Sequence, residues 1–91
     1  MNTTTVVRQI RLGAHHRPTG KTRHFRGGKE LSVPVYLQIV RISGDLGWYL
    51  LYLDDEWREL TDTYHESIEA ALEQAKWEFG VKPEEWKCVG T

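Results

Sequence analysis

The sequence predicts an α+β fold in two layers: an antiparallel sheet of three to four strands with one helix packed on one face, in the order β-loop-β-β-(β)-α. Three observations carry this. Between Thr5 and Leu53 the apolar residues alternate with period two or form short β-branched and aromatic blocks. After Ser67 the period changes, with Ile68, Ala71, Leu72, Ala75 and Phe79 forming one helical stripe. The 91 residues suit a single domain, 1–91, with one modest core.

Thr5 to Leu12 reads as a half-exposed strand, with Val6, Ile10 and Leu12 on one face and Val7, Gln9 and Arg11 on the other. Residues 13–30 have no apolar period and four glycines, which makes a long basic loop, with room for a short hairpin around Thr19-Gly20. Leu31 to Ile42 is apolar on both faces and reads as a central strand, with Pro34 near its start where a missing N–H is tolerated. Ser43 to Gly47 turns the chain into a second strand, Trp48 to Leu53, completing a hairpin. Asp54-Asp55-Glu56 turns it again into a short fourth strand, Trp57 to Thr61. If left uncovered, the sheet face away from the helix would expose some of Tyr36, Trp48, Tyr49 and Tyr52, which favours a homodimer or a bound partner. Ser67 suits the N-cap of the helix and Gly80 the position just past its end. Pro83 opens a short helical turn ending at Trp86.

The net charge of −1 hides an asymmetry. Residues 1–29 hold seven Arg and Lys and no acid; residues 30–91 hold five bases and all thirteen acids. The two signs either define opposite surfaces or lie against each other and cancel. The single cysteine, Cys88, allows no internal disulfide. With no signal-peptide pattern at the start and no apolar run of membrane-spanning length, a cytoplasmic protein is expected.

Several stretches invite a chemical reading. Gly20-Lys21-Thr22 ends like a phosphate-cradling P-loop, but His15 stands where such a loop carries its first glycine, and no helical pattern follows. His15, His16 and His24 match no familiar metal-ligand spacing, so neither metal nor cofactor is expected. Asp62, His65 and Ser67 are too close in sequence for a catalytic triad; Thr63, Glu66 and Ser67 suit helix capping and His65 a backbone bond or the helix–sheet junction, so no catalytic residue is assigned. Arg17, Lys21, Arg23, Phe25, Arg26 and Lys29 offer a flexible basic loop with one aromatic, a candidate nucleic-acid contact. On a helical wheel Trp77 lies opposite the apolar stripe, in line with Glu69 and Glu73, where a tryptophan makes an interface anchor unless the C-terminal tail, with Trp86 or Val89, covers it.

From Trp48 to Trp86 the chain has an aromatic strand, an acidic turn, Asp62-Thr63-Tyr64-His65, a helix from Ser67 through Ala75, and then Phe79-Gly80-Val81. In these features it resembles a group of short bacterial proteins. Small acidic proteins of this general build resemble immunity proteins, which bind and block a toxin. The resemblance implies no catalytic or binding residue. Together these readings predict a non-catalytic binding domain for a protein partner, a basic one by charge, through Glu69, Glu73 and Trp77 or the aromatic sheet face. The alternative is RNA or DNA binding through loop residues 15–29.

Overall fold

The computed structural model describes residues 3–16, 25–30 and 33–89. In chain order they form β1 (Thr4–Arg11), β2 (Phe25–Arg26), β3 (Lys29–Glu30), β4 (Tyr36–Ile42), β5 (Trp48–Leu53), β6 (Glu59–His65), α1 (Ile68–Phe79), a 3-10 turn (Pro83–Glu85) and β7 (Lys87–Cys88). One antiparallel five-stranded sheet runs β6-β5-β4-β1-β7, and β2 and β3 form a separate two-stranded hairpin. The single helix packs on one sheet face, as the change of period at Ser67 predicts.

The helix ends where its local chemistry says it should. Ser67 accepts a hydrogen bond from the Ala70 N–H at 3.0 Å, satisfying one of the donors a helix start leaves over. Gly80 ends it in the left-handed region at φ 73°, giving its N–H to the Lys76 carbonyl. Ala71, Ala75 and Phe79 are buried against Ile10, Leu37, Ile39, Leu50 and Tyr52, with Val81 and Trp86 closing the end of the core. Two alanines on the inner stripe let the helix sit close to the sheet. This core is one contiguous cluster, enough for a chain of this length.

Four expectations need correction. β4 begins at Tyr36 rather than in the Leu31 region, because Pro34 has no N–H to give the ladder, and Val33 stands exposed. β1 carries an irregularity between Val6 and Arg8, so Val6 pairs with Val40 while Val7 packs on the core; a strict alternation had Val6 inward. The fourth strand runs from Glu59 to His65, not from Trp57 to Thr61, because Asp54 to Arg58 form the turn. The sheet has a fifth strand: Lys87 and Cys88 pair with Gln9 and Arg8. A hairpin at Thr19-Gly20 falls outside the described residues.

The sheet order places the charged strands. β1, with Arg8 and Arg11, and β6, with Glu59 and Asp62, lie on opposite sides of the sheet, while Glu84 and Glu85 stand just before β7, which pairs with β1. Among the described residues no helix is long and apolar enough to cross a membrane.

Candidate functional site

The acidic side is built from the β4–β5 turn, β5, the β5–β6 turn, β6 and the start of the helix. Residues 43–75 contain nine carboxylates (Asp45, Asp54, Asp55, Glu56, Glu59, Asp62, Glu66, Glu69 and Glu73) and one base, Arg58. Arg58 is already engaged, with its Nε 3.1 Å from Asp54 Oδ2 and a terminal nitrogen 3.6 Å from Glu56. The Asp54 carboxyl sits below its usual range because the Arg58 and Glu56 N–H groups and the Arg58 guanidinium hydrogen-bond it.

Aromatic side chains stand in this acidic surface. Trp57 is 45% exposed and lies flat on Tyr36, ring centroids 3.6 Å apart and 15° from parallel. Its backbone is left-handed, at φ 64°, a conformation that ordinarily goes to glycine or asparagine. Asp54 holds the turn in that shape: its carbonyl accepts the Trp57 N–H, and its side chain accepts the N–H groups of Glu56 and Arg58. Tyr64 is 52% exposed and meets Tyr49 edge-on across β5 and β6, centroids 5.3 Å apart. The Tyr49 hydroxyl donates to Asp45, which pushes its titration upward. Tyr36 and Tyr49 thus belong to the sheet face away from the helix, where both are half-buried. Tyr52 does not: it is buried under the helix, and Trp48 leans on the same core with the Arg41 guanidinium 4.9 Å over its ring.

On the helix, Glu69, Glu73 and Trp77 are exposed along one line, Trp77 at 42%. The tail takes another route, since Trp86 enters the core and the Val89 N–H bonds the Val7 carbonyl. Lys29 is exposed in β3, and Phe25 and Arg26 form β2. Arg17, Lys21 and Arg23 lie outside the described residues, as does His24.

Under the helix lies a polar group without a sequence signature. Glu78, 3% exposed, accepts the Tyr52 hydroxyl at 2.6 Å and the Gln74 amide at 3.0 Å. Burial, and then the Glu78 carboxyl, push the Tyr52 phenol far upward. His65 sits beside this group with its Nε2 2.7 Å from Thr63 Oγ1, and burial pulls its titration below the usual imidazole range. Shielded by helix and sheet, Tyr52 and Glu78 join the two layers.

At the other end of the sheet, His15 and His16 reach Glu85 in the 3-10 turn, each through Nε2 at 2.8 Å. The Glu85 carboxyl is pulled down to about 2, first by the Lys82 N–H and then by the two imidazoles. Sequence reading put the histidines in one loop but had no signal for a carboxylate some seventy residues away. It also read Trp57 as a strand residue; the acidic turn just before it was the available clue. Compared with known proteins, the chain matches no family model, no curated protein and no solved structure.

Proposed function

We propose that this protein is a non-catalytic binding domain that docks a protein partner with a basic surface on its acidic, aromatic side. The observation that carries the reading is the pairing of nine carboxylates and a single, already engaged arginine with exposed Trp57 and Tyr64. Tyrosine and tryptophan are the residue types that most often anchor protein interfaces, and surrounding charge selects and steers the partner. The strained Trp57 backbone supports the same reading: strain of this kind clusters where a side chain has a task beyond folding. Glu69, Glu73 and Trp77 form a second acidic line with an exposed aromatic, on the outer face of the helix and so on the layer opposite Trp57 and Tyr64.

The test starts with affinity capture using the wild type, a Trp57→Ala/Tyr64→Ala variant and a Glu59→Lys/Asp62→Lys variant. The captured protein is then purified and titrated calorimetrically at about 50 and 200 mM salt. The expected partner is basic. Removal of the two aromatics weakens it at least tenfold, and charge reversal weakens it most at low salt. Unchanged affinity in both variants would overturn the proposal. So would a captured component that nuclease removes, which would point instead to nucleic acid on residues 15–29, or a self-association of the chain that these substitutions abolish.

A further inference from the structure

We propose that His15, His16 and Glu85 form a binding site for a borderline divalent transition-metal ion such as zinc. The site lies on the β1–β7 side of the sheet, away from the acidic side, and does not depend on the partner reading. Two imidazole nitrogens and one carboxylate are a donor set suited to such ions. His15 and His16 lie in the turn leaving β1, and Glu85 lies just before β7. Each Nε2 faces its own carboxylate oxygen at 2.8 Å, and the three donor groups lie within 4.8 Å of one another. Donors bonded tetrahedrally at about 2.0–2.1 Å stand roughly 3.3 Å apart, so seating an ion widens the two 2.8 Å nitrogen–oxygen contacts by about half an ångström and draws together the wider pairs, which lie within 4.8 Å.

The surroundings hold the donors in place. The Lys82 N–H fixes Glu85 Oε2 at 2.9 Å. The two imidazole rings lie 3.8 Å apart and point the same way. A Cβ on residue 13 would sit 3.3 Å from His15 Cε1, so Gly13 leaves the space into which that ring folds. His16 is buried while His15 is exposed, which gives the site one closed wall and one side open to a water ligand.

The proton positions follow from one bond. The Gly13 N–H donates to His16 Nδ1 at 2.9 Å, so the neutral His16 ring carries its proton on Nε2 and donates it to Glu85. An ion takes the Nε2 lone pair, and the proton moves to Nδ1. The Gly13 N–H then loses its acceptor and turns to water, which its exposed position allows. His15 needs only the same tautomer exchange, so two neutral imidazoles remain neutral. Metal binding therefore has a backbone reporter, the Gly13 amide.

The experiment is a calorimetric titration of zinc into chelator-treated full-length protein. It is joined by visible absorption with cobalt, melting temperature, and amide spectra of 15N-labelled protein. The expected result is one ion per chain with a micromolar Kd, a raised melting temperature and a large shift of the Gly13 amide. His15→Ala and Glu85→Gln each weaken zinc at least tenfold while circular dichroism shows both still folded; Cys88→Ser and His65→Gln bind as the wild type. Three results would overturn the site: no heat and no melting shift in excess zinc, zinc retained by the His15→Ala/Glu85→Gln double variant, or binding that leaves the Gly13 amide unmoved.

Discussion

Replacing Tyr52 by Phe removes one oxygen from the middle of the molecule and isolates the joint between helix and sheet. The Tyr52 hydroxyl gives Glu78 Oε1 a 2.6 Å hydrogen bond under the helix, and both residues are shielded from water. A hydrogen bond to a charged group contributes about 1.5–3 kcal/mol, and a buried acceptor deprived of a donor keeps its desolvation penalty. Gln74 remains as a donor to the same oxygen, which limits the damage. We therefore expect Tyr52→Phe to cost about 2–3 kcal/mol, a large share of the roughly 5–14 kcal/mol expected for a domain this long. In a thermal melt that is a fall of about 10–20 °C. Urea unfolding of the wild type, Tyr52→Phe, Glu78→Met and the double variant completes a cycle, with an expected coupling of about 1–2 kcal/mol. The folded state holds the Tyr52 proton more tightly than the unfolded chain does. This contribution is complete below about pH 10 and is lost as pH rises above it, so the alkaline fall in stability should be shallower in Tyr52→Phe. A cost below about 0.5 kcal/mol with additive single variants would refute the idea that this bond joins the layers.

Two further outcomes follow. At Trp57 the left-handed backbone costs a non-glycine residue roughly 1–2 kcal/mol, against about 0.4–1 kcal/mol of extra unfolded-state freedom for glycine. Trp57→Gly should therefore exceed Trp57→Ala in stability by about 0.5–1 kcal/mol in urea, although both lose the stack on Tyr36; the reverse order would refute the strain. His65 resists protonation because it is partly buried, so the unfolded chain binds its proton first, and this contribution is present above about pH 6.5 and falls as pH drops below it. The stability of His65→Gln relative to the wild type should rise between about pH 6.5 and 5, and parallel pH profiles would contradict the burial.

How much of this was readable beforehand depends on how far apart the interacting residues stand. Ser67 and Gly80 bound the helix through partners three and four residues away, so its limits were legible. The β4–β5 hairpin was legible for the same reason, since its alternation and turn are continuous in the chain. The start of β6 was not, because Trp57 looks like a strand residue until the Asp54 bonds turn its backbone over. Glu69, Glu73 and Trp77 were placed correctly on the outer helix face by the wheel, whereas Trp57 and Tyr64 became candidates only once the strands were paired.

By itself the sequence determined the α+β class, the helix with both caps, the β4–β5 hairpin and the separation of charge along the chain. Each of these rests on periodicity, capping or composition, which act within a few residues. Only the tertiary structure decided that Lys87 and Cys88 add a fifth strand, because a two-residue strand has no pattern and exists by pairing with β1. It alone set the acidic edge on the side opposite β1, brought Glu78 under Tyr52, and joined His15 and His16 to Glu85. These contacts cross 26 to 70 residues, and only a packed core holds groups that far apart in the chain at hydrogen-bond distance.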